Sequence, residues 1–185
     1  MKTYDVFYVD GCEKQAQFQS LLRILLAYAD IFSLIYFKYH ENDKTPETTK
    51  IMKKRLSKFA VDSRLVTYWP LTWTRNYQNH IYRMVTYRIG QSVEDILTVF
   101  ESLDSLWNLD YPQYPMDLCF YRNGRVLFAS CTHEEINELY LCQEDPLSKK
   151  DILQIGLELY YRRAMSEKEL FLLPSQEDRL MSTGD

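Results

Sequence analysis

Met116-Asp117-Leu118-Cys119-Phe120-Tyr121-Arg122-Asn123-Gly124-Arg125-Val126-Leu127-Phe128-Ala129-Ser130-Cys131 is the stretch on which the fold turns. Two mostly apolar runs flank Asn123-Gly124, and both turn residues tolerate positive φ. That pattern predicts an antiparallel β-hairpin. On its N-terminal side, His80–Ile89 predicts a strand ended by Gly90. Ser92 then opens a helix with Val93, Ile96, Leu97, Phe100 and Leu103 on one face. On its C-terminal side, Thr132-His133-Glu134-Glu135 has capping-box spacing, which predicts a short helix carrying Ile136, Leu139 and Tyr140. Ser148 and Asp151 repeat the signal, with Gly156 as terminator, and Leu157–Arg162 alternates as a last strand.

The N-terminal half alternates between the two periods. Residues 4–9 read as a strand. Glu13–Ala29 carries Phe18, Leu21, Leu22, Leu25 and Leu26 at helical spacing. Ile31–Tyr39 reads as a strand buried on both faces. Thr45-Pro46-Glu47 starts a helix with Ile51, Met52, Leu56 and Phe59 inward, and Val61–Tyr68 reads as a further strand. Helices interleaved with strands, plus one hairpin, predict a single α+β domain over residues 1–163. Its sheet is expected to be mixed, with helices packed on at least one face. Residues 164–185 read as a polar, partly flexible tail.

Net charge is −4, with a sequence pI near 5.5. An acidic balance argues against sequence-independent binding to duplex nucleic acid or an anionic membrane, although Lys50, Lys53, Lys54, Arg55 and Lys58 crowd one segment. No run reaches the ~18 apolar residues of a membrane span. No secretory pattern follows Met1, so the expected compartment is the cytoplasm. Cys12, Cys119, Cys131 and Cys142 form no C-x-x-C pair and show no ligand spacing, so reduced thiols, no metal and no cofactor are expected.

All three tryptophans fall in two loop-like stretches, residues 68–77 and 106–115. Trp69, Trp73, Tyr77, Trp107, Tyr111 and Tyr114 are the candidate binding residues, because large rings with polar tips bury much area while freezing few torsions. The same rings could instead fill a small core beneath the loops. Cys131, His133 and Glu134 form an alternative pocket, although the capping box already accounts for their neighbours. Cys12, at a helix start, has the position of a reactive thiolate but lacks a resolving cysteine at Gln15. His40 and His80 have no partners in the spacing. Tyr-Arg steps at Tyr82, Tyr87, Tyr121 and Tyr161 are compatible with a single-strand nucleic-acid platform. In a strand they more simply set ring inward and guanidinium outward.

His80–Arg88, Ser105-Leu106-Trp107, Tyr114–Tyr121 and Thr132-His133-Glu134 resemble a group of small uncharacterised proteins of spore-forming bacteria, some carrying a sporulation-protein label. The resemblance implies a cytoplasmic protein, places Trp107 and His133-Glu134 in a recurring pattern, and supplies no catalytic residue. The resulting expectation is a non-enzymatic interaction protein of inhibitor or immunity type, binding a basic protein partner through its aromatic loops. The alternatives are a small enzyme or ligand-binding module at Cys131, His133 and Glu134, or single-stranded nucleic-acid binding.

Overall fold

Asn123 and Gly124 take φ of 50° and 76°, and the turn they make pairs Arg122 with Arg125. The computed structural model describes residues 2–9, 15–36, 45–66, 68–72, 82–100, 114–134 and 136–165. The hairpin strands are β5 (Met116–Arg122) and β6 (Arg125–Cys131). β2 (Ile31–Tyr36) pairs with the outer side of β5, and β7 (Ile136–Leu141) with that of β6. β4 (Tyr82–Arg88) and then β3 (Ala60–Val66) extend one flank. β1 (Lys2–Tyr8) and then β8 (Glu158–Met165) extend the other. The sheet order is β3-β4-β2-β5-β6-β7-β1-β8.

Every pairing among these strands is antiparallel, which corrects the expectation of an α+β domain with a mixed sheet. The chain is mostly one large antiparallel sheet with few, short helices. The physical reason lies in what fills the crossovers. β1 and β2 run in the same direction with α1 (Gln15–Tyr28) between them in sequence, as a βαβ unit requires. They are not neighbours, because β5, β6 and β7 lie between them. β2 and β3 flank α2 (Glu47–Leu56) in the same way, and β4 separates them. Strands from later in the chain occupy both gaps and convert every contact to antiparallel.

A second correction concerns residues 132–141. Thr132–Glu134 is one 3-10 turn, and Ile136–Leu141 is strand β7, not a helix. Thr132 spends its side chain on Asp117, as described below, and no helix starts there. Leu139 and Leu141 face one side of the sheet and Tyr140 the other, so the apolar positions suit a strand equally well. At Ser148 the capping box does form, opening α4 (Lys149–Gln154), and Gly156 follows at φ 81°. Ser92, by contrast, precedes α3 (Val93–Leu97) at φ 73° without a side-chain cap bond.

Burial on one face follows a single row of cross-strand partners, from Tyr87 through Phe32, Phe120, Phe128 and Leu139 to Phe7. Ring centres along it lie 5.1, 5.8 and 6.4 Å apart. Phe18, Leu21, Leu22 and Leu25 of α1 join this cluster. Each such side chain contributes about 1.5–3 kcal/mol on burial, so this row fixes the register. The opposite face is also buried, by Tyr4, Val6, Cys119, Tyr121 and Tyr140 at one flank and by Ile35, Val66, Trp69 and Met84 at the other. Among the described residues, no helix is long and apolar enough to cross a membrane.

Candidate functional site

Trp69-Pro70-Leu71-Thr72 is a type II turn in its chemistry. Proline stands second, Leu71 takes φ 66° in the third place, and the Thr72 amide donates to the Trp69 carbonyl at 3.0 Å. Glycine is the residue that position favours, so Leu71 holds strained backbone. The Thr72 hydroxyl accepts from the Trp69 amide at 2.8 Å and donates to its carbonyl at 2.5 Å, which locks the turn.

The Trp69 side chain then points into the sheet and is 7% exposed. Its indole packs edge-on against Tyr82, with centres 4.9 Å apart, and its Nε1 donates to Asp117 Oδ2 at 2.5 Å. Asp117, in β5, is wholly buried and sits at φ 51°. Its Oδ1 accepts from both the amide and the hydroxyl of Thr132, each at 2.7 Å. One buried carboxylate thus ties together the turn at 69–72, the start of β5 and the end of β6. Two of the four non-glycine residues at positive φ among the described residues, Leu71 and Asp117, lie in this one link.

The sequence-derived candidates divide accordingly. Trp69 and Cys131 come together through Asp117 and Thr132. Tyr114 does not join them: half-buried, it rests edge-on against Phe100, 5.4 Å away, and packs with the cluster on the other face. Glu134 is exposed at the 3-10 turn that also holds His133. Trp73, Tyr77, Trp107, Tyr111, Cys12, His40 and His80 lie outside the described residues. Sequence reasoning overlooked Asp117 itself. The available signal was a lone acid inside an apolar strand, a residue type almost never buried without partners.

Cys131 has poor chemistry for a nucleophile. Burial pushes its thiol far up, and the Asp117 carboxylate adds to that. Cys119 is pushed up to about 12, chiefly by burial. We expect iodoacetamide to alkylate half-buried Cys142 in the native protein, with Cys119 and Cys131 reacting only as it unfolds. Peptide mapping by mass spectrometry checks this, and early labelling of Cys131 would restore it as a reactive group. Among the described residues, no three His, Cys, Asp or Glu side chains are placed to hold a metal ion.

A cleft of about 720 Å³ is lined by β1, the end of β7, the connection at 142–149 and Arg162 of β8. Four of its charges are paired with one another, Lys2 with Glu144 at 2.5 Å and Arg162 with Asp5 at 2.6 Å. Comparison with family models, curated proteins and solved structures gives no match.

Proposed function

We propose that this chain is a non-enzymatic interaction protein that binds a protein partner at the sheet end where Trp69, Asp117 and Thr132 meet. The observation that carries the reading is the Asp117 link. It pins the root of the first aromatic stretch to the strand that immediately follows the second. In sequence, Trp73 and Tyr77 come just after Trp69, and Trp107 and Tyr111 come shortly before Asp117. Fixed roots lower the entropy lost when aromatic connections engage a partner, which is a general source of affinity. A net charge of −4 favours a basic partner by speeding encounter, the usual logic of inhibitors and immunity proteins. A cytoplasmic setting, which the resemblance to proteins of spore-forming bacteria also implies, completes the proposal.

The test is the double replacement of Trp73 and Trp107 by alanine. Two hot-spot aromatics of ordinary size should weaken a partner captured in defined stoichiometry by the unaltered chain about a hundredfold or more. Far-UV circular dichroism and the thermal midpoint should stay close to those of the parent. Undiminished binding, or loss of the fold, would remove these residues from the contact surface.

A further inference from the structure

Charge is unevenly distributed over this molecule. Residues 47–66 together with Arg83 and Arg88 hold eight lysines and arginines against two carboxylates, Glu47 and Asp62. That is +6 in a chain of net −4, so the remainder carries −10. These residues cluster in one region of the fold, although Arg83 and Arg88, five apart on β4, project from opposite faces of the sheet. α2 leads through a single 3-10 turn into β3, and Arg83 and Arg88 project from β4 beside it. Arg83 donates to Ser63 Oγ at 3.1 Å, and Arg88 to the Lys58 carbonyl at 3.4 Å.

Three properties coincide in this region. Lys50, Lys53, Lys54, Arg55 and Lys58 are all exposed. On β3, Val61, at the bulge between Ala60 and Asp62, and Leu65 beyond it are 54% and 51% exposed. Among the described residues, β3 is an end strand, paired with β4 on one side only. A backbone edge that no described strand covers offers hydrogen bonds, Val61 and Leu65 offer shallow contacts, and flanking cations select the sign of what arrives. This is the physical basis of strand addition.

We propose that β3 takes up an extended acidic segment of a partner protein as an added strand. A second copy is the less favoured occupant, because it would bring a second surface of the same positive charge against the first. Among the described residues of this region, single-stranded nucleic acid finds no exposed stacking platform. Tyr36 and Phe59 are buried, and Lys53 and Lys58 sit over their rings at 5.8 and 4.9 Å. The proposal does not depend on the aromatic stretches, and its test leaves Trp73 and Trp107 untouched.

The probe is a labelled peptide with glutamate at every second position and valine or threonine between, titrated against the full chain by fluorescence anisotropy. It should bind at least about tenfold tighter than its lysine-for-glutamate counterpart, and more weakly as salt rises. Methylating alternate backbone amides of the same peptide should cost at least about tenfold, since that removes strand pairing while keeping charge. Hydrogen exchange of β3 amides should slow in the complex. Reversal of Lys53, Lys54 and Arg55 to glutamate should cost at least about tenfold, and Leu65→Glu, a single exposed change, carries the same expectation. Equal binding of the lysine or methylated peptide, or no binding of the acidic one, would overturn strand addition. So would tighter binding of a twelve-nucleotide single-stranded RNA or of phosphatidylserine vesicles.

Discussion

Asp117→Ala lowers the free energy of unfolding by about 3–5 kcal/mol, read from urea or guanidinium midpoints at constant slope. The replacement strands three donors at once: the Trp69 indole N–H and the Thr132 amide and hydroxyl. A buried donor left without an acceptor costs about 1–3 kcal/mol, and local relaxation recovers part of the sum. Backbone adds to this. At φ 51°, alanine pays a left-handed cost of about 1–2 kcal/mol that aspartate and asparagine tolerate better. Asp117→Asn should therefore be milder, at about 2 kcal/mol, since its amide keeps one acceptor and the conformation. Asp117→Gly should be less damaging than Asp117→Ala by about 1 kcal/mol, which isolates the backbone contribution. Against a typical total of about 5–15 kcal/mol, the alanine variant approaches unfolding at ambient temperature. A loss below about 1 kcal/mol would mean that the carboxylate does not hold these connections.

That link also shows where a sequence stops being legible. Some local signals were accurate, although neither Thr45 nor Ser92 caps its helix through a side chain. Asn123-Gly124 made its turn, Ser148 and Asp151 made their capping box, and Phe18, Leu21, Leu22 and Leu25 formed the buried stripe of α1. Thr132 carried the same capping signal as Ser148 but went elsewhere, because a buried carboxylate fifteen residues away competes for its amide and hydroxyl. No spacing rule ranks a local cap against a distant acid. Sheet order failed for a similar reason. α1 and α2 each join co-directional strands, and nothing within those units reports that β5, β6 and β7, or β4, will enter between them. For the candidate site, Trp69 was read as a binding residue, with a small core beneath the loops as the alternative, and its indole is buried. What decides between the two was not readable, because the indole's acceptor, Asp117, arrives from 48 positions downstream.

Arg125→Met is the second large effect, expected at about 3–5 kcal/mol. Arg125 opens β6 and pairs with Asp145 in the turn after β7, with side chains only 12% and 4% exposed. Asp145 also accepts the Cys142 amide at 2.8 Å, so removing the guanidinium leaves a buried carboxylate with, among the described residues, that amide as its remaining donor. Lys2→Met tests the contrast. Its pair with Glu144 is also a direct cation–carboxylate contact, but its side chains are 44% and 70% exposed, and its loss should leave the unfolding midpoint unchanged. The pair itself need not be favourable. Arg125 Nη1 is buried with no hydrogen-bond partner, so desolvation of the cation is incompletely offset. Replacing both members, Arg125→Met with Asp145→Asn, should therefore recover about 1–2 kcal/mol of the single-variant loss, because asparagine keeps an acceptor for Cys142 without a stranded charge. Strict additivity of the two changes would show that the damage is lost packing against the Tyr4 ring, whose centre lies 5.7 Å from the guanidinium, and not an uncompensated carboxylate.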